Sequence, residues 1–595
     1  MNGKVLDPTR RSVGVNFDQG SLSYGGAKGE VQLTAALSIS GPAKRQTTSD
    51  TVYELAIVGG GIAGCMLAAA MARNGVKVVI LESSTYPKFA IGESMILETS
   101  ELMRSLALVF DVPELEHFSY VPHQPGEPSS AADIVQAVIP ERPYGHELHL
   151  HRQDSDYYFA AVAVRYGAEL RQNTSVTDIQ VSAAGVGLTT ASGEVVHADY
   201  VVDASGFRSI LAQQHKLRDT DLKTHTRGLF THMTGVRSFH DAKASPGELC
   251  IPYSLAEGTL HHVFEGGWLW VIPFNNHKAS SNELCSVGLL LDPRIHGPVP
   301  DCSPQEEFDR FIARFPDVAA HLQGGRAVRD WVRAERLQYT SSEVVGDRFC
   351  LLGHAAGFID PLFSKGLHTS LAAVLNFGRN FLLQRKSQDY SREKFLCVEQ
   401  QTLNYVAAND VLVANAIKSF ARAELWRVYS VIWILGAYLE LVRLTSYRQS
   451  LLKHCSSTKE RLEFSPPELQ LVGGGFEAFE TLSAEVDGIV EALDVSQEAE
   501  VTAAVAKIKT RILQEKWIPY SHRAIAQGAT HLPKRKFSWR LFMSEGGLMG
   551  RPDYKAHFFG DTNFFDLALF MLKDRFRYSR TRIGLVHRLA RQNAL

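Results

Sequence analysis

Tyr53-Glu-Leu-Ala-Ile-Val58, running into Gly59-Gly60-Gly61-Ile62-Ala63-Gly64, decides the fold. The first six residues are apolar and β-branched enough to form a buried strand. The glycines then make a G-x-G-x-x-G turn that opens a helix from Cys65 to Asn74, and Val76 to Leu81 forms a second strand. In this strand–turn–helix–strand order Gly59 makes the tight turn, Gly61 lets the backbone approach a pyrophosphate, and Gly64 lets the helix pack on the sheet. Backbone N–H groups at Ile62 and Ala63 open the helix, where an N-terminus favours phosphate. Glu82 ends the second strand 18 residues after Gly64, in place to take a ribose hydroxyl pair. The fold class expected is α/β, a Rossmann-like three-layer domain that binds a dinucleotide.

Working outward, four more stretches bear on that site. Ile91-Gly92-Glu93-Ser94 is a short loop. His151-Arg152, with Asp156 four residues after the arginine, begins an amphipathic helix. Val201-Val-Asp-Ala-Ser-Gly206 is an apolar strand ending in a small-residue turn. Gly353-His-Ala355-Ala-Gly357-Phe-Ile-Asp360-Pro-Leu-Phe-Ser364-Lys365-Gly366 is a second glycine-rich turn. Between them lies Gly267-Trp268-Leu-Trp270-Val-Ile-Pro273-Phe274, a short strand stopped by Pro273 with two indoles at i and i+2, on one face.

Trp268-x-Trp270-x-Ile272-Pro273 resembles the W-x-W-x-I-P signature of flavin-dependent halogenases, and Ile91-Gly92-Glu93-Ser94 resembles their I-G-E-S/A loop. The likeness covers residues 53 to 595. Within the family, Phe89 to Ser94, Thr259 to His277 and Gly357 to Ser364 resemble the type that chlorinates the pyrrole ring of aminopyrrolnitrin precursors. The resemblance implies FAD as cofactor, lying against Ile91, Gly92 and Ser94, with Arg152, Gly206, Gly353, Ala355, Gly357 and Asp360 completing its site. It implies a catalytic region of Glu93, Trp268, Trp270 and Pro273, the indoles keeping the organic substrate off the flavin. It implies a chloride or bromide held by backbone N–H groups of Ser364, Lys365 and Gly366. Lys365 adds positive charge in that reading; its alternative is a solvated loop lysine. Reduced FAD from a separate flavin reductase, oxygen and halide then give hypohalous acid. The chain would be an oxidoreductase of the halogenase and monooxygenase superfamily, serving secondary metabolism by chlorination or bromination.

The sequence departs from the family pattern at three places. His354 stands where much of the superfamily has an aspartate. Phe363 stands where tryptophan halogenases carry glutamate, which points to an electron-rich pyrrole or phenol, free or tethered to a carrier protein, rather than free tryptophan. The lysine that the family uses to direct the oxidant lies between the I-G-E-S helix and the Arg152 helix, and this chain has no lysine from Phe89 to His215. The segment between Glu116 and Pro125 reads as shortened, with Lys88 serving phosphate or solvent instead. On that basis halogenation is expected to be weak and undirected. A hydroxylating flavin monooxygenase and an FAD-binding pseudoenzyme are the alternatives.

The rest of the chain sets the frame. Of 595 residues, 45% are hydrophobic and 21% charged, as in soluble globular proteins, and a net charge of −2 gives no basis for binding nucleic acid. Seven scattered cysteines without metal spacing fit a reducing, cytoplasmic setting. Residues 1–50, rich in Gly, Ser and Ala, read as a flexible leader; Arg10, Arg11, Lys44 and Arg45 leave organelle transit open, while Asp7, Asp18 and Glu30 oppose it. Residues 51–385 read as the cofactor core carrying an inserted substrate sheet, and 386–595 as a helical lid over the substrate. Val428 to Leu439, the longest apolar run, reads as too short to span a membrane and as packed in a core.

Overall fold

The strand Val52–Val58 forms where the sequence places it, and it lies at the centre of a parallel sheet. Val78–Leu81 pairs with it in register from Leu55↔Val78 to Val58↔Leu81. Val195–Asp203 flanks its other side, ending at Val58↔Asp203. Phe349–Leu351 and Glu169–Arg171 extend the sheet outward. Helices Ile62–Arg73, Arg152–Arg165 and Lys365–Gln384 pack beside it, and an antiparallel hairpin, Val176–Ser182 with Gly185–Thr190, joins through Val195–Asp203. This is the Rossmann-like α/β arrangement. The ends of its two central strands, Val58 and Asp203, stand side by side, so the glycine turn and the Ala204–Gly206 turn face one crevice. The structure is a computed structural model that describes residues 52–111, 121–122, 148–243, 254–276, 280, 282–299, 301–466, 473–529, 551–560, 566 and 569. The expected leader lies outside the described residues, as does most of the shortened 116–125 segment.

The inserted sheet runs in the order Arg227–Thr234, Cys285–Leu291, Gly267–Pro273, Leu260–Phe264, Val121–Pro122. Its main strands are antiparallel; the last pair is parallel, with His262↔Val121 and Val263↔Pro122. Strand alternation divides its side chains between two cores. Leu260, Phe264, Leu269, Val271 and Leu289 pack with Phe308, Phe311, Phe315 and Val318. Phe230, Val263, Trp268, Trp270, Ile272 and Leu290 pack with Phe363 and the apolar faces of the C-terminal helices. Both faces are buried, which is why the indole strand is nearly continuous in apolar residues.

Helices Leu396–Ser419, Ala423–His454, Glu477–Ala492 and Glu498–Gln514 make up most of the described C-terminal region. One reading is corrected here. The apolar run at 428–439 is the middle of a 32-residue helix, Ala423–His454, long and apolar enough to cross a membrane. That helix is packed inside the protein, its apolar surface spent on the indole-face core. The described residues form one compact unit.

Candidate functional site

The glycine turn shows where a ligand fits. Gly59 has φ +100°, and a Cβ there would stand 2.7 Å from the Ala204 carbonyl oxygen. A Cβ on Gly64 would overlap the Gly59 carbonyl oxygen, so helix and turn touch backbone to backbone. Gly61, the cap of the helix, differs: a Cβ added there meets nothing within 4 Å. Gly206 likewise opens onto free space. Ile62 is buried beneath the turn and Ala63 half-buried. Asp203, which sequence reasoning passed over, organises the facing turn. It accepts from Ser205 N at 3.0 Å, Ser209 Oγ at 2.8 Å and Leu211 N at 3.1 Å. The available signal was an acid ending a parallel strand just before a small-residue turn.

Glu82 accepts from Gly60 N at 2.7 Å, Ser84 N at 2.8 Å and Lys88 Nζ at 2.5 Å. Burial works against its charge, but Lys88 and these donors outweigh that and hold the carboxyl below its ordinary value. Lys88, read as serving phosphate or solvent, is instead the ion-pair partner of Glu82. A ribose would share Glu82 with that ammonium. The Tyr86 hydroxyl donates to the Gly60 carbonyl beside it.

The I-G-E-S loop is tied down from two directions. Arg152 donates to the carbonyls of Ile91 at 2.6 Å and Gly92 at 3.2 Å, and grips Asp156 at 2.7 and 2.9 Å. Arg152, expected at the cofactor, thus holds the I-G-E-S loop against the helix that begins at Arg152. Glu93 is buried and bonded to His232 Nε2 at 2.7 Å. Ser94 and His149 both hydrogen-bond Thr259, at 2.7 and 3.0 Å, and His149 donates from Nδ1 to the Pro273 carbonyl at 2.5 Å. Burial pulls His149 down to about 4, so it is neutral. The loop is thereby joined to the end of the indole strand.

Trp268 and Trp270 lie 5.6 Å apart, both buried. Trp270 donates to Ser286 Oγ at 3.1 Å and Trp268 to Asp360 Oδ1 at 3.2 Å. Asp360 also accepts from Leu362 N at 3.0 Å and Thr226 Oγ1 at 2.7 Å. Burial pushes its carboxyl up to about 7 against these three donors. Asp360, expected at the cofactor, joins the indole strand to the loop that follows it through these donors.

That loop turns at Ser364, in the left-handed region at φ 51°, and opens the 20-residue helix Lys365–Gln384. The Ser364 amide is used by Pro361 O at 2.9 Å; those of Lys365 and Gly366 head the helix. Lys365 is not a solvated loop lysine. Its Nζ is buried between Glu98 at 2.6 Å and Glu440 at 3.1 Å. Burial opposes its charge, but the two carboxylates hold its pKa above the ordinary value. A Cβ on Gly353 would crowd Ser370, and one on Gly357 would stand 3.0 Å from Val406; Ala355 is buried between them. His354 points its Nε2 toward Gly366, 2.7 Å from where a Cβ would be. Burial, helped by the charge of Arg152, lowers its pKa to about 4, so the ring is neutral. Phe363 stacks on Trp433 at 4.9 Å.

The profile of the family described as tryptophan halogenase matches residues 54–118 and 130–408. The chain is 38% identical over 475 residues to monodechloroaminopyrrolnitrin halogenase PrnC of Pseudomonas fluorescens, covering 76% of this chain and 83% of that one. It is 40% identical over 406 residues to tetracycline 7-halogenase of Kitasatospora aureofaciens, covering 64% and 73%. The crystal structure of halogenase PltM in complex with phloroglucinol and FAD superposes with a TM-score of 0.74 at 33% identity, covering 80% of this chain and 99% of that one. The crevice here fits FAD. Gly61 and Gly206 leave room for the backbone approach, a helix N-terminus faces it, and His354 Nε2 and Arg218 Nη1 are buried without a hydrogen-bond partner among the described residues.

Proposed function

The chain belongs to the flavin-dependent halogenase family, and from that premise we propose that it halogenates an electron-rich aromatic ring, a pyrrole or a phenol, using FADH2, oxygen and chloride or bromide. When bound, the flavin supplies the oxygen chemistry that converts halide to hypohalous acid. The protein supplies the rest. Gly59, Gly61, Gly64 and the N-terminus of the first helix hold the pyrophosphate. The amides at the start of the Lys365–Gln384 helix offer an anion site, favoured by the helix dipole. Trp268 and Trp270 stand as a wall that a substrate ring does not pass, which favours transfer of a small oxidant over direct hydroxylation.

One observation carries the reading: Asp360 bonds Trp268 on one side and the turn leading into the anion-site amides on the other. An indole wall registered against an anion site serves halogenation; a hydroxylase needs its substrate against the flavin. Phe363 offers no carboxylate at its position, in keeping with a ring that is nucleophilic on its own. The relatives named for an aminopyrrolnitrin precursor and solved with phloroglucinol support a pyrrole or phenol. Reducing equivalents come from a separate reductase in this reading, since no second G-x-G-x-x-G follows a strand.

The test is product analysis with purified protein, FAD, a flavin reductase, NADH, oxygen and halide, on a panel of pyrroles and phenols. Halide-dependent aryl halide is expected, with no NADPH oxidation by the protein alone. A hydroxylated product formed equally without halide would move the protein to the monooxygenases.

A further inference from the structure

Making hypohalous acid from halide consumes a proton. The balance is FADH2 + O2 + X− + H+ → FAD + HOX + H2O. Oxygen takes four electrons, two from FADH2 and two from the halide. The O–O bond breaks, an O–X bond forms, and the other oxygen leaves as water. The competing reaction, FADH2 + O2 → FAD + H2O2, takes no proton from outside. A closed site that favours the first reaction needs a route for its proton. Imidazoles and carboxylates in series from surface to site can supply one at neutral pH.

Such a series starts at Glu93. Its Oε1 lies 2.7 Å from His232 Nε2, and both residues are buried. The His232 ring lies 6.0 Å from that of His151, and Phe274 meets both edge to face, at 5.7 and 5.3 Å. Phe89 closes on His232 from 5.3 Å. His151 Nε2 is buried with no hydrogen-bond partner among the described residues, so the gap between the two imidazoles suits one bridging water. His151 Nδ1 lies 2.8 Å from Asp154 Oδ2, and the Asp154 side chain is 70% exposed. The inner end of the series belongs to the cofactor crevice. Arg152 donates to the carbonyls of Ile91 and Gly92, just before Glu93. Its charge acts on Glu93, on Cys65 of the first helix and on His354 beside Gly366. One guanidinium thus ties Glu93 to both the glycine turn and the anion-site helix.

We propose that Asp154, His151, His232 and Glu93 form a proton relay that carries the proton consumed in each turnover from solvent to the oxygen that leaves as water. Asp154 collects the proton at the surface. Each imidazole takes it at Nδ1 and gives one up at Nε2, with a water spanning the gap between the rings. Glu93 receives it from His232 Nε2 and passes it on, and the relay refills from solvent. Only Glu93 reaches the reacting oxygen; the two histidines act through it. The inference rests on the halogenase reading above.

The test uses the full chain loaded with FAD, reduced, and mixed with oxygen and bromide in a single turnover. A phenol and a hypohalite-trapping β-diketone are both present, so that all oxidised bromine is caught. Brominated product and hydrogen peroxide are counted per flavin oxidised. His151→Phe keeps a flat ring against Phe274, and His232→Gln keeps an N–H donor for Glu93. Each should lower the ratio of brominated product to peroxide by about 10²-fold while flavin oxidation continues. Added imidazole, a mobile proton carrier, should restore part of the ratio in His151→Phe, which a merely structural defect would not allow. A ratio within about twofold of wild type in either folded, FAD-loaded variant would overturn the relay and leave the halogenase reading intact. So would a loss in His151→Phe that imidazole does not touch. A folded variant that no longer holds FAD would mark its histidine as a packing residue, and the relay falls. If His232→Gln does not fold, His151→Phe decides alone. Wild type that makes only peroxide in the presence of bromide overturns the halogenase reading, and this inference with it.

Discussion

Trp268 donates its indole N–H to Asp360, so a single buried carboxylate sets the position of the indole wall relative to the Ser364 turn. No cation is bonded to Asp360 among its described partners, and burial raises its pKa from the ordinary 3.8 to about 7. A carboxyl raised on folding contributes stability that is full below the unfolded value and lost as pH climbs to the folded one. Wild type should therefore lose stability between about pH 4 and pH 7, on the order of 4 kcal/mol from this group. Asp360→Asn should flatten that slope. Denaturant unfolding across the window measures it, and equal slopes in both proteins would contradict the assignment.

Replacing Trp268 and Trp270 together by alanine tests the wall itself. Two buried indoles contribute heavily to the core they share with the C-terminal helices, and a loss of roughly 3–5 kcal/mol per Trp→Ala is expected. The FAD cradle is built by other residues, so the folded variant should keep its flavin while oxygen uptake becomes poorly coupled to halogenation. Loss of flavin from a folded variant would mark the pair as packing alone.

How far the chain could be read in advance follows from the physics of each part. The Gly59–Gly64 turn was legible because its function is backbone geometry, and only glycine permits it. The indole strand was legible as a period-two pattern. Partners chosen across the fold were not: Lys365 meets Glu98, 267 residues away, and Glu440, 75 residues away, so nothing local announced that its charge is internal. Arg152 and Asp360 were read as cofactor contacts from their place in motifs; that each also holds a loop in place was not legible, because the partners lie across the fold. Asp203 was missed because an acid at a strand end is common without a function.

Gly61→Val separates binding from folding. A Cβ at Gly61 meets no protein atom within 4 Å, so the variant should fold with wild-type stability while its side chain fills the pyrophosphate position. FAD should be lost on gel filtration with the unfolding midpoint unchanged. Gly64→Ala is the contrast, since its methyl would overlap the Gly59 carbonyl and should disrupt the turn itself. Stoichiometric FAD retained by Gly61→Val would sink the assignment of this cradle.

Lys365 makes the last case. Its ammonium bridges Glu98 on the helix after the I-G-E-S loop and Glu440 on the long helix Ala423–His454, and Glu440 also bonds His368 at 2.8 Å. Three helices thus meet at one buried cation at the start of the anion-site helix. Removing the cation strands two carboxylates away from water, and breaking a buried pair in this way costs roughly 3–5 kcal/mol. Lys365→Met should be destabilised by that amount. Glu98 is then the group left without its cation, whereas Glu440 still has His368 and Tyr405. Adding Glu98→Gln to Lys365→Met should therefore recover part of the loss, which a simple packing defect at position 365 would not allow. Because the amides of Lys365 and Gly366 head the helix, the single variant should also raise the halide KM more than it lowers kcat. Urea unfolding of wild type, both single variants and the double variant gives the coupling directly. A double variant no more stable than Lys365→Met would show that the carboxylate at Glu98 is not what the lysine neutralises.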